Sequence, residues 1–180
     1  MSPDWPIDRD VECTKCRYNL RTLAVTSRCL ECGFPVLRSF IGHEAGVVRG
    51  GLVDAERVTD TAMRVLASLL GRNRDAIGFV LLANQNAARK AVPDVPRFIP
   101  RRVHVSAAEL CRELASVVLE HFGNLEDALD TMKFWRIERS EDVGRIVAGL
   151  VEAGLIMPGE NDSPADFVNA CVFEEILRRR

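Results

Sequence analysis

Cys13-Thr14-Lys15-Cys16 and Cys29-Leu30-Glu31-Cys32-Gly33 are two Cys-x-x-Cys pairs with twelve residues between them. Each pair can offer two thiolates to one tetrahedral ion, and no other stretch of the chain has so definite a chemical meaning. The spacing predicts a small four-cysteine zinc ribbon over residues 1–40, with Cys13, Cys16, Cys29 and Cys32 as ligands. Four thiolates close the coordination shell, so such a zinc is structural and has no open position for substrate. A thioredoxin-like redox site expects one Cys-x-x-Cys at a strand end within a βαβ unit, and neither number nor context fits.

Between the pairs, Tyr18, Leu20, Leu23 and Val25 are residues that a short hairpin places around a metal. A module this small cannot build enough apolar core alone, so metal binding supplies much of its folding free energy. Gly33 stands where the second knuckle wants positive φ. Arg17 holds the equivalent place in the first, so that knuckle either tolerates strain or turns differently. The module is also locally basic. Lys15, Arg17, Arg21, Arg28 and Arg38 face only Glu31 among the acids between Cys13 and Arg38. With Tyr18 and Phe34 as stacking faces, such a surface can hold RNA or DNA through phosphate contacts and stacking. The plainer alternative is a solvated arginine surface with both aromatics packed on the knuckles. Lys15, Arg17, Tyr18, Arg21 and Arg28 are the candidate nucleic-acid contacts.

The pattern Cys-x-x-Cys-x-Tyr-x-Leu-Arg-x-Leu from Cys13 to Leu23, then Arg-Cys-x-Glu-Cys-Gly-x-Pro from Arg28 to Pro35, resembles zinc ribbons fused to many otherwise unrelated bacterial proteins. The resemblance implies a bound zinc and leaves the partner open. That family commonly has Gly where Arg17 stands.

The chain has 180 residues, 47% of them apolar, enough for one ordinary domain plus a small one. A net charge of −2 argues against a whole-protein electrostatic grip on nucleic acid or an anionic membrane. Met1 to Asp10 is polar and acidic, unlike a signal peptide, and no run approaches the length of a membrane span. A reducing cytoplasm is therefore the expected compartment. Cys111 and Cys171 stand alone on apolar stretches and read as buried small hydrophobes rather than nucleophiles.

Gly42-His43-Glu44-Ala45-Gly46 and Gly50-Gly51 suggest a flexible linker over 41–53. An α-helical domain then fills 54–180. Asp54 caps a helix to about Leu70, stopped by Gly71, and Asn73 opens another to about Ala91. Asn84 lies on the apolar stripe of the second helix and reads as a helix–helix contact, with a site residue as the alternative. Pro93, Pro96 and Pro100 break the chain into an extended connector. Ser106 and Glu109 form a capping box for a third helix, with His121 packed on its face. Asn124 caps a fourth, and Ser140-Glu141-Asp142 opens a fifth that Gly154 closes.

Two endings fit the residues after Gly154. Leu155 to Met157 and Phe167-Val168 could pair as a hairpin around Pro158-Gly159, the order of a winged helix. The rival is an all-helical finish starting at Ser163-Pro164 and running to Arg178. A winged helix here would be poorly suited to DNA, because Arg101 to Glu175 carries seven basic against fifteen acidic residues. The fold class is mainly α in either case.

His104-Val-Ser-x-x-Glu109-Leu-Cys, Phe122-Gly123, Trp135-x-Ile137, Glu141-Asp-x-Gly144-x-Ile-Val, Asp162-x-x-x-Asp166-Phe167 and Phe173-Glu174 together resemble a bacterial family of unknown function. The resemblance spans about residues 55–178 and implies domain limits but no chemistry. That family usually has Gly where Arg136 stands.

His104, Glu109, Asp162 and Asp166 are the only polar set worth testing for metal binding or proton transfer. Their spacing matches no one-face ligand pattern, Glu109 is used as a cap, and both aspartates suit turn and helix-start roles. No phosphate loop, nucleophile elbow or triad pattern appears. The expected function is therefore non-catalytic, with the helical domain docking to protein and no small-molecule substrate in evidence. Nucleic-acid binding through the ribbon is the alternative, and an enzyme built on the polar set is the second.

Overall fold

The computed structural model describes residues 5–47, 54–91, 104–159 and 162–178. Among them the chain is mainly helical. Seven α-helices follow the cysteine module: α1 (Val36–Glu44), α2 (Ala55–Leu70), α3 (Arg74–Ala91), α4 (Ala107–Phe122), α5 (Leu125–Phe134), α6 (Ser140–Ala153) and α7 (Phe173–Arg178). A 3-10 turn, Pro164–Phe167, lies between α6 and α7.

The helix limits follow local chemistry. The Asp54 carboxylate accepts from Arg57 N–H at 3.1 Å, and Gly71 ends α2 in the left-handed region at φ +59°. Ser106 and Glu109 cap α4 reciprocally, with Ser106 N–H donating to Glu109 at 2.9 Å. The Asn124 side chain receives Asp127 N–H at 2.8 Å to open α5. At the start of α6 the Asp142 carboxylate reaches back to the N–H groups of Glu138 and Arg139, each at 3.1 Å.

α4 forms the spine. Ala107, Leu110, Cys111 and every residue from Glu113 to Val118 are buried, while Glu109, Arg112 and Glu120 keep one edge of the helix exposed. It packs along α3 and also meets α5, α6 and α7, while α6 lies against α2 and α3. Leu66, Ile77, Leu110, Leu114, Ile146 and Leu150 are fully buried where these helices meet. Asn84 is half-buried on α3.

Three features differ from the sequence expectation. First, residues 41–44 are not linker but the last turns of α1, whose Val36, Leu37, Phe40 and Ile41 are buried. Gly50-Gly51 lie outside the described residues, as does the connector with Pro93, Pro96 and Pro100. Second, α1 joins the cysteine module to the helical body. It contacts α2 and α6, and Arg38 donates to the carbonyls of Glu152 and Val151, both at 2.9 Å, closing the end of α6. One continuous core runs from Ile7 and Leu20 through Phe40 to α4.

Third, among the described residues no hairpin forms after α6. The N–H groups of Leu155 and Ile156 both turn back to the Leu150 carbonyl, so this run finishes the helix instead of starting a strand. The all-helical finish is nearer, but Ser163-Pro164 opens only the 3-10 turn, and α7 starts afresh at Phe173. Asn169, at φ +53°, stands in the break.

Candidate metal centre

Each Cys-x-x-Cys forms the same knuckle. In the first, Arg17 N–H donates to the Cys13 carbonyl and Cys13 N–H to the Tyr18 carbonyl, both at 2.9 Å. In the second, Gly33 N–H donates to Cys29 and Cys29 N–H to Phe34, again at 2.9 Å. Arg17 and Gly33 share φ +69°. The first knuckle therefore tolerates strain, and it does not turn differently. Isolated antiparallel bridges, Glu12 with Asn19 and Arg28 with Pro35, close the base of each knuckle.

The knuckles are held to each other through apolar contacts and α1. Leu20 and Val25 are fully buried beneath them, while Tyr18 and Leu23 are half-buried. Thr14 N–H donates to the Oγ of Ser39, a buried residue of α1, at 3.1 Å. The Val36 N–H, at the start of α1, donates to the Ser27 carbonyl at 3.1 Å.

This frame brings the four Sγ atoms within 4.8 Å of one another. Cys13 lies 3.6 Å from Cys32 and Cys16 lies 3.5 Å from Cys29. Those separations are too long for a disulfide of about 2.05 Å. They suit the edge of a tetrahedron around an ion bonded at about 2.3 Å, for which the sulfurs lie about 3.8 Å apart. Cys13 and Cys29 are buried, Cys32 is half-buried and Cys16 is exposed, so the set opens at one vertex.

The charge balance of the cluster also points to a cation. Burial opposes ionisation of Cys13, but N–H groups of Cys16 and Lys15 and the nearby thiols outweigh it and pull Cys13 down to about 6. Cys16 goes the other way. The Tyr18 N–H favours its thiolate, yet desolvation and the three other sulfurs outweigh that and push it up to about 12. Four thiolates this close cannot ionise together without a positive ion among them. The four cysteines could thus bind a metal ion.

The basic residues of the module are placed as follows. Arg28 meets Glu152 at 3.1 Å, Arg21 meets Asp10 at 3.7 Å, and Arg9 meets Glu44 at 3.0 Å. Lys15 and Arg17 are exposed and have no charged partner among the described residues. Leu30, at the tip of the second knuckle, is 72% exposed.

The polar set divides. His104 Nδ1 lies 2.6 Å from Asp162, whose other carboxylate oxygen accepts from Gly159 N–H at 2.7 Å. Glu109 is bound to Ser106, first through its hydroxyl and then through its N–H, and these hold its carboxyl below the ordinary range. Asp166 caps the 3-10 turn, accepting from Ser163 N–H at 2.8 Å. His104 and Glu109 do line one cleft of about 320 Å³, together with Lys90, Arg112 and Glu113. The buried Glu113 carboxylate accepts from Lys90 at 2.6 Å, so one ion pair spans the lining of the cleft.

His121 sits edge-on to Phe79 and Phe122, with ring centres at 5.1 and 4.8 Å. Cys111 is buried on α4, and Cys171 is half-buried just ahead of α7.

No helix among the described residues is long and apolar enough to cross a membrane. Comparison with family models, curated proteins and solved structures finds no match to this chain.

Proposed function

We propose that the protein is a zinc-stabilised, non-catalytic interaction protein whose helical body docks to another protein. Zinc is the ion assigned to Cys13, Cys16, Cys29 and Cys32, because a closed set of soft thiolates selects it over hard cations. The assignment agrees with the resemblance of residues 13–35 to bacterial zinc ribbons.

The observation that carries the partner class is how the arginines of the ribbon are used. Arg9, Arg21 and Arg28 each have a carboxylate of this chain beside the guanidinium, which cancels the field a phosphate would feel. Such surface pairs add little stability, but they do neutralise the face. Arg38 is occupied by two carbonyls of α6. The acidic excess of the helical body works in the same direction. Glu109 and Asp166 satisfy backbone amides, which supports a role in folding rather than in proton transfer.

A second reading rests on Lys15 and Arg17, the exposed ribbon cations with no charged partner among the described residues. With Tyr18 beside them they could touch RNA or DNA.

Crosslinking in the native cell, followed by capture with and without nuclease, separates the two. Protein docking is supported if crosslinks map to the helical body, survive nuclease and persist in a Lys15→Glu/Arg17→Glu variant. Loss of all partners on nuclease treatment, with salt-sensitive retention abolished by that variant, would overturn it in favour of nucleic acid.

A further inference from the structure

The four sulfurs of the metal centre are not equally covered. Cys13 and Cys29 are 1% and 3% exposed and Cys32 is half-buried, while Cys16 stands exposed. The backbone of the two knuckles is otherwise alike, so one vertex of the same tetrahedron is open to solvent and the others are shielded. Cys16 lies between exposed Lys15 and Arg17, which have no charged partner among the described residues, so no ion pair closes over the sulfur. Across the centre, Cys16 Sγ faces Cys29 Sγ of the other knuckle at 3.5 Å. A disulfide of roughly 2.05 Å between them needs a closure of only about 1.5 Å.

We propose that Cys16 is an oxidative modification site of the metal centre, where a hydroperoxide is reduced and a Cys16–Cys29 disulfide replaces two of the four ligands. This site rests on the zinc assigned above to the four cysteines. A ligating cysteine is held as thiolate, and the thiolate is the form that attacks a peroxide. The Cys16 sulfur attacks one peroxide oxygen, the O–O bond breaks, and the departing oxygen takes a solvent proton and leaves as water or alcohol. Cys16 is then a sulfenic acid. The Cys29 sulfur attacks the Cys16 sulfur, the S–O bond breaks, and the hydroxide that leaves takes a second solvent proton. Two electrons pass from the two sulfurs to the peroxide. Burial sets the order of events. Cys29 is covered and acts as the resolving sulfur, whereas exposed Cys16 meets the oxidant first. Cys13 and Cys32 then remain as the only thiolates, too few for a closed tetrahedral site, so the ion dissociates and the module loses the bond that orders it.

The test uses the full, unaltered chain, so no arm depends on a variant that must fold. Native mass spectrometry first establishes one zinc per chain. The zinc-loaded chain is treated with one equivalent of hydrogen peroxide, its remaining thiols are alkylated, and tryptic peptides are mapped, while released zinc is followed with a chromogenic chelator. Cleavage after Lys15, Arg17 and Arg28 puts Cys13, Cys16 and Cys29 on separate peptides, and fragmentation tells Cys29 from Cys32. The expected product is a Cys16–Cys29 disulfide that forms one-for-one with released zinc and is reversed by dithiothreitol. In a second arm, one equivalent of iodoacetamide should label Cys16 ahead of Cys13, Cys29 and Cys32. A zinc-bound chain that resists the peroxide, joins other cysteines, or is alkylated first at another ligand overturns this modification site and leaves the zinc assignment standing. A chain that holds no zinc at the outset overturns both.

Discussion

Gly144 lies in the interior of α6, where alanine would ordinarily stabilise a helix by about 1 kcal/mol. Here the structure reverses the sign. A Cβ built on Gly144 would come within 2.8 Å of both Cβ and Cγ of Phe167. Phe167 is buried, and its 3-10 turn is fixed by Ser163 and Asp166, so the ring has little room to retreat. Overpacking of this kind costs about 1–3 kcal/mol, and set against the propensity gain of about 1 kcal/mol leaves Gly144→Ala up to about 2 kcal/mol less stable. Gly78 in α3 is the control. There a Cβ would meet only Met63 Sδ at 3.6 Å, an ordinary contact, so Gly78→Ala should gain up to about 1 kcal/mol. Urea unfolding of both metal-loaded variants against the parent reads the difference, as midpoints moving in opposite directions. If Gly144→Ala is stabilised as much as Gly78→Ala, the close packing of the 3-10 turn on α6 is wrong.

Two further perturbations test the strained and charged points of the fold. Arg17 and Arg136 hold φ +69° and +58°, so replacing either with Gly should raise stability by about 0.5–1 kcal/mol, the left-handed cost less the flexibility Gly adds; thermal unfolding that falls in both would contradict this. Asp142 is buried against its own ionisation, but N–H groups of Arg139 and Glu138 and the Arg72 guanidinium at 2.6 Å outweigh that and hold its carboxyl below the usual range. Its contribution is therefore present above the ordinary aspartate titration near pH 4 and is lost as pH falls through and below it. Asp142→Asn should weaken the protein more at pH 7 than at pH 3, where part of the carboxylate's contribution is already lost; an equal gap at both would refute the linkage.

What the sequence could reveal was local. The caps at Asp54, Ser106 and Asn124 and the stops at Gly71 and Gly154 depend on neighbours a turn away, and each appears where its chemistry places it. The four thiols were legible for the same reason, since two short spacings define two knuckles. Arg17 and Arg136 are both in the left-handed region, where Gly would sit without strain. α1 was hidden because Pro35 offers no side-chain cap and two glycines near its end mimic a linker. The ending after α6 was ambiguous because a Pro-Gly turn between apolar runs suits either outcome, and the packing of Phe167 on Gly144 decided it. Contacts between distant positions, such as Arg38 with Glu152 and His104 with Asp162, leave no periodic trace.

The central claim is that an ion holds the N-terminal module together. Hydrogen exchange of the full chain, before and after complete metal removal by a chelator, tests this most directly, with native mass spectrometry confirming the starting state as one zinc per chain. We expect the knuckle amides of Cys13, Arg17, Cys29 and Gly33 to lose their protection while those in the centre of α4 keep theirs. Equal protection of the knuckles with and without the ion would contradict the claim.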